Sequence, residues 1–177
     1  MKSRSKFFAG SCLCKAITVR LPEKVTDVGV CHCAMCRRWN SGPWMSFQVP
    51  EAEITGKPLA VYKSSAFAER GFCARCGSHI FHRPQDGPEL AISAGLFDFR
   101  DQYIAREICF DDKPPFYEFV AESERRTTAS MAREWLPRLL KRRVARWLSG
   151  SWRTRGYGFS RSAMDLSQRV ICLTIEI

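Results

Sequence analysis

Three tight groups of cysteine constrain this chain more than any other feature: Cys12-Leu-Cys14, Cys31-His-Cys33-Ala-Met-Cys36 and Cys73-Ala-Arg-Cys76. They hold seven of its nine cysteines, all within the first 76 residues. A structural zinc takes four protein ligands, whereas a catalytic zinc takes three and keeps one position for water or substrate. Four plus three uses every clustered thiol. The pattern implies one closed site beside one open one, in a fold that must bring distant segments to a point.

The spacings say how the thiols group. C-x-x-C at Cys73 and Cys76 spans one tight turn, and Gly77 behind it permits the positive φ such a turn needs. C-x-C at Cys12 and Cys14 is harder, because successive side chains of a flat strand point to opposite faces. The backbone must bend there, and Gly10 is placed to help. Together these two pairs make a set of four thiols that pins the N-terminal hairpin to a segment about sixty residues later. Closing so long a loop is costly for an unfolded chain, so metal binding contributes to folding. The middle group supplies three thiols from six consecutive residues and no fourth. A metal held there keeps a position for Lewis-acid chemistry or for a substrate thiolate. Arg37 and Arg38 beside it suit carboxylates of an anionic substrate.

Composition decides between a metal framework and a disulfide one. The chain has 177 residues, 45% of them hydrophobic, enough for a core without disulfides. Disulfide scaffolds are usually shorter than ~100 residues. The basic N-terminus, residues 1–10, has no apolar stretch behind it of the kind a secretion signal carries. No apolar run approaches the ~18–20 residues of a membrane span. A reducing cytoplasm is the expected location, where clustered thiols are metal ligands or catalytic groups.

The net charge of +10 is unevenly spread: residues 1–123 carry 16 Lys/Arg against 14 Asp/Glu, residues 124–177 carry 12 against 4. The basicity belongs to the tail, which marks an extension rather than a nucleic-acid-binding domain. Two parts are therefore expected, a zinc-binding β domain over 1–123 and a basic C-terminal extension over 124–177.

Within the first part, short period-2 or turn-bracketed segments predict strands at 16–21, 44–49, 59–63, 78–82, 89–93 and 106–110. Six short strands with Gly/Pro punctuation predict an all-β sandwich or barrel-like domain. In the tail, Met131, Trp135, Leu136, Leu139, Leu140, Val144, Trp147 and Leu148 recur at helical spacing. Arg138, Lys141, Arg142, Arg143 and Arg146 mostly take the other side. This predicts a basic amphipathic helix over about 128–148, begun or interrupted at Pro137. A further strand is expected at 170–175.

The motifs Gly10-Ser-Cys-Leu-Cys14, Cys31-His-Cys-Ala-Met-Cys-Arg-Arg38 and Gly71-Phe-Cys-Ala-Arg-Cys-Gly-Ser78, in this order, resemble the glutathione-dependent formaldehyde-activating (GFA) family, also called the centromere-protein-V type domain. Residues 106–117 are similar to that family's closing strand and aromatic turn, so the resemblance covers roughly residues 7–120. It implies a zinc-pinned β-tent of small antiparallel sheets with two zincs per chain. Cys12, Cys14, Cys73 and Cys76 would bind the structural zinc, and Cys31, Cys33 and Cys36 the open, catalytic one. It further implies a carbon–sulfur lyase of the S-(hydroxymethyl)glutathione synthase type, joining glutathione or a similar thiol to formaldehyde or another small aldehyde. Arg37 or Arg38 would hold a glutathione carboxylate. The tail has no counterpart in the family pattern.

The alternative is a non-enzymatic zinc module with both sites closed, a histidine among His32, His79 and His82 filling the second, and the basic tail carrying a nucleic-acid or protein interaction. A redox role for Cys73 and Cys76 lacks the βαβ context such motifs keep. Cys109 reads as a small core residue in the last strand.

Overall fold

The computed structural model describes residues 7–85, 89–98 and 101–148. The strand expected at 170–175 and Cys172 lie outside them. The chain divides into two compact units, the first ending at Met131 and the second starting at Ala132.

The first unit is mostly β. Strands β1 (Phe8–Ser11), β2 (Thr18–Leu21) and β5 (Glu53–Thr55) form an antiparallel three-stranded sheet in the order β1-β2-β5. The larger sheet has eight strands: β3 (Asp27–Cys31), β4 (Trp44–Val49), β6 (Leu59–Lys63), β7 (Ala68–Cys73), β8 (His79–Pro84), β9 (Leu90–Ser93), β10 (Tyr103–Ile108) and β11 (Glu124–Arg126). Their order is β11-β10-β3-β4-β9-β8-β7-β6. All neighbours pair antiparallel except β10, which runs parallel to both β3 and β11. One short helix, α1 (Ala34–Asn40), interrupts the strands directly after β3.

The core lies where alternation puts it. Ile17, Val19 and Leu21 of the β2 segment are fully buried, with Arg20 between them exposed. They pack with Phe47, Ile80, Phe81, Ile92 and Phe97 into one cluster that includes Cys12 and Cys73. Removing that much apolar surface from water is the main driving force here. Gly10 serves this packing rather than the bend of the C-x-C: a Cβ there would sit 2.5 Å from the Leu96 carbonyl oxygen.

The last strand ends earlier than 110. β10 stops at Ile108, and Cys109 turns away with φ 52 into a 3-10 turn at Phe110–Asp112. The compact unit also runs past the composition break at 123, because β11 adds an edge strand beside β10. Helix α2 (Thr128–Leu148) follows. Its first turn is capped by Thr127, whose Oγ1 accepts from Ser130 N at 3.2 Å, and by Asp111, which accepts from Thr128 N at 2.7 Å. With the start satisfied there, the helix carries Pro137 inside it instead of beginning at it. In the second unit, Arg138 pairs with Glu134 one turn earlier, at 3.5 Å. Neither described helix is long and apolar enough to cross a membrane.

Candidate metal centres

The two thiol sets come together as two separate groups. Cys12, Cys14, Cys73 and Cys76 form one and Cys31, Cys33 and Cys36 the other, the sulfur atoms of each lying within 4.8 Å of one another. Eight described cysteines are free thiols.

The first group is assembled by two turns. After β1 the chain reverses through Cys12–Lys15, with Lys15 N donating to Cys12 O at 2.9 Å and Lys15 itself at φ 60. That reversal swings Cys14 back toward Cys12, and their Sγ atoms stand 3.6 Å apart. The second turn leaves β7 at Cys73. Gly77 N donates to Cys73 O at 2.8 Å, and Gly77 takes φ 76, the left-handed value its position required. Cys14 Sγ then lies 3.8 Å from Cys73 Sγ. A tetrahedron of sulfur around a metal at ~2.3 Å has edges of ~3.8 Å, so the set fits one ion. Ser78 clamps the two turns together: its hydroxyl accepts from Leu13 N at 3.1 Å and lies 3.3 Å from Cys76 Sγ. That hydroxyl brings the Cys76 thiol down to about 5, whereas Cys14 is pushed up to about 11. For Cys14 a backbone bond from Ala16 lowers the value, but burial and the neighbouring sulfurs outweigh it.

The second group sits where β3 hands over to α1. Cys31 ends the strand, and Cys33 caps the helix, its sulfur accepting from Cys36 N at 3.5 Å. Cys36 is buried in the first turn, packed with Trp44 and Ala91. Crowded sulfurs share protons unevenly. Hydrogen bonds from Cys109, Cys31 and Cys36 hold Cys33 far below the usual thiol range, and Cys31 is raised through the same contacts. Cys36 is lowered by its bond with Cys31, yet the bond with Cys33 and burial carry it up to about 11. One thiolate surrounded by thiols is what a soft cation displaces protons from.

Two further residues meet this group that the spacing did not reveal. Cys109 is buried near the group: interaction with Cys31 lowers its thiol, but Cys33 and burial carry it up to about 12. The parallel pairing brings it there, because Ile108 is the register partner of Cys31 and the next residue turns inward. Arg70 of β7 is 2% exposed and donates from Nη2 to Cys36 Sγ at 3.4 Å. It follows Ala68 by two on the buried face of its strand, so alternation alone would have pointed it inward had β7 been recognised.

The histidines are employed elsewhere. His32 is fully buried with its ring directed at Glu107: Nε2–H donates to Oε2 at 2.9 Å, and Nδ1 accepts from the Tyr117 hydroxyl at 2.8 Å. Glu107, also fully buried, takes a second bond from Ser123 Oγ at 2.7 Å. His79 donates from Nε2 to Phe81 O at 2.9 Å and stacks on Trp44, with centroids 4.7 Å apart. Burial lowers His79 to about 3 and His82 to about 4. Of the two arginines after the group, Arg37 donates to Asp112 O, and Arg38 is exposed.

Comparison with known proteins adds three findings. Residues 7–111, more than half of the chain, match the family model described as glutathione-dependent formaldehyde-activating enzyme. A protein of Schizosaccharomyces pombe described as an uncharacterized lyase is 38% identical over 120 residues, spanning 63% of this chain and 85% of its own. A crystal structure of a Rhodobacter sphaeroides protein is similar at 21% identity and a TM-score of 0.42, covering 52% of this chain and 89% of that one.

Proposed function

The chain belongs to the glutathione-dependent formaldehyde-activating enzyme family, and from that membership and its two thiol groups we propose a zinc-dependent carbon–sulfur lyase that adds glutathione or a similar thiol to formaldehyde or another small aldehyde. The observation that carries the reading is the three-thiol group at Cys31, Cys33 and Cys36, set apart from the four-thiol group that ties two turns together.

In this reading Cys12, Cys14, Cys73 and Cys76 hold a structural zinc, and Cys31, Cys33 and Cys36 hold a second, two per chain. Zinc bound at the second site supplies Lewis acidity and favours the thiolate form of a thiol. The reaction itself is an addition: a C–S bond forms, the carbonyl π bond breaks, and the thiol proton ends on oxygen. No oxidant is consumed. The protein's residues contribute orientation and charge. Packing of Cys36 against Trp44 and Ala91 fixes one side of the group, and the buried His32–Glu107 pair fixes the β3–β10 seam behind it. Arg38, exposed one turn along α1, is the arginine available to a substrate carboxylate, whereas Arg37 already holds the Asp112 carbonyl.

Cys109 favours a second reading. As a buried thiol near the group, it would close the site by moving onto the metal and leave a zinc module without turnover. Exchange NMR of glutathione and formaldehyde separates the two. The enzyme reading expects the metal-loaded chain to speed adduct formation above the uncatalysed rate and Cys31→Ser to abolish the effect. No acceleration by the wild-type chain supports the closed module instead.

A further inference from the structure

Among the described residues, Arg70 is the buried arginine that the thiol chemistry leaves half-explained. Its Nη2 is bonded to Cys36 Sγ, but Nη1, on the same guanidinium carbon, is buried and has no hydrogen-bond partner among the described residues. No carboxylate among them pairs with Arg70 either. Its flanks are aromatic, with Cζ 5.7 Å from the Trp39 ring centroid and 5.8 Å from that of Trp44. Cross-strand from it is His82, which burial keeps neutral, so no second cation shares the place. A guanidinium cannot lose its proton, and burying it without a partner is costly. Buried donors of this kind have a partner in the working protein as a rule.

Three thiolates and a divalent cation sum to a net charge of −1, which the single positive charge of Arg70 balances through Cys36. A donor remains after that balance. It lies on the same guanidinium whose other nitrogen touches the ligand Cys36. We propose that Arg70 Nη1 is the receiving donor for an anionic sulfur or oxygen atom that enters the three-thiol site. The proposal rests on the metal-binding reading of Cys31, Cys33 and Cys36 given above. The chemistry is shared by two sources. One is the thiolate of the incoming thiol; the other is the oxyanion that develops on the carbonyl oxygen as the C–S bond forms. Trp39 and Trp44 on either side keep water from competing for the donor and hold the guanidinium plane.

The test uses the full chain loaded with cobalt(II), whose visible absorption reports ligands at each site. Two probes are titrated separately: 2-mercaptoethanol as a sulfur anion without carboxylates, and acetate as an oxygen anion. In Arg70→Met, cobalt content should stay at two per chain, while the dissociation constant for the accepted probe rises about tenfold or more, the scale of one charge-assisted hydrogen bond. Arg70→Lys, keeping the charge, should recover part of that loss. Weakening of 2-mercaptoethanol alone assigns the thiolate, and weakening of acetate alone assigns the oxyanion. Equal affinity of Arg70→Met and wild type for both probes overturns the proposal. Should Arg70→Met not fold, nitrogen NMR of the wild-type guanidinium decides, because the Arg70 Nη1 resonance must move when either probe is added; an unmoved resonance overturns it. A wild-type chain that binds only one cobalt refutes the metal reading itself, which is a separate and recognisable result.

Discussion

Cys14 Sγ lies 3.8 Å from Cys73 Sγ, although 59 residues separate them in the chain. A contact of that span joins the turn after β1 to the turn after β7, with Cys12 and Cys73 built into the main core cluster. A metal held by these four thiols would therefore be part of the core. Replacing Cys73 by Ser should remove it and lower the melting temperature by about 10 °C or more, the shift that a loss of ~3 kcal/mol produces in a chain of this size. Calorimetry of the variant beside the metal-loaded wild type checks this, and an unchanged melting temperature would show that the four thiols do not hold the fold.

The His32–Glu107 pair is a second buried anchor, and its removal should be felt in stability. Glu107→Ala leaves His32 Nε2–H and Ser123 Oγ without their acceptor. The expected cost is about 2–3 kcal/mol. Tyr117→Phe deletes only the donor to Nδ1 and should cost about 1 kcal/mol. Urea unfolding of both variants gives the comparison. A larger effect from Tyr117 than from Glu107 would contradict the pairing.

Gly71 shows how tightly the strand carrying Arg70 is seated. A Cβ there would stand 2.2 Å from Cε1 of Phe81, a ring that is 2% exposed. Gly71→Ala must push that ring into an already packed core and should destabilise by about 1–3 kcal/mol. A urea midpoint equal to wild type would mean that the ring has room to move.

Two histidines of β8, His79 and His82, make stability depend on acid. His79 and His82 hold folded values of about 3 and about 4, below the ordinary 6.5, so the unfolded chain takes up their protons first. Stability from this source is complete above about pH 6.5 and is lost as the pH falls toward 4 and then 3. Each histidine contributes a slope of about 1.4 kcal/mol per pH unit inside its window. Urea midpoints between pH 7.5 and 5 should fall less steeply in His79→Gln than in wild type. Identical slopes would exclude the contribution.

Much of this was legible in the chain. The grouping of the thiols followed from spacing, since C-x-x-C and C-x-C each imply a turn, and Gly77 marked one of them. Strands with clean alternation or firm turn brackets, such as Trp44–Val49 and Leu59–Lys63, stand where the pattern put them. Strands β1, β3, β5, β7 and β11 and helix α1 were not legible. β1 and β5 owe their existence to pairing with β2, and seven-residue α1 to the cap at Cys33 and burial of Cys36, none of which is local periodicity. The partners of the second thiol group stayed hidden for the same cause. Cys109 comes near the group through a parallel pairing of β10 with β3, two strands far apart in the chain, and Arg70 arrives on β7, a strand the pattern does not mark.

The central claim is that the seven clustered thiols divide into four that hold the fold and three that hold a separable metal. Native mass spectrometry of the wild type and of Cys33→Ser measures this directly. The account predicts two zinc ions per wild-type chain, and one per variant chain with the folded charge-state distribution kept. A wild-type chain carrying a single metal, or a variant that unfolds when its second metal is lost, would contradict it.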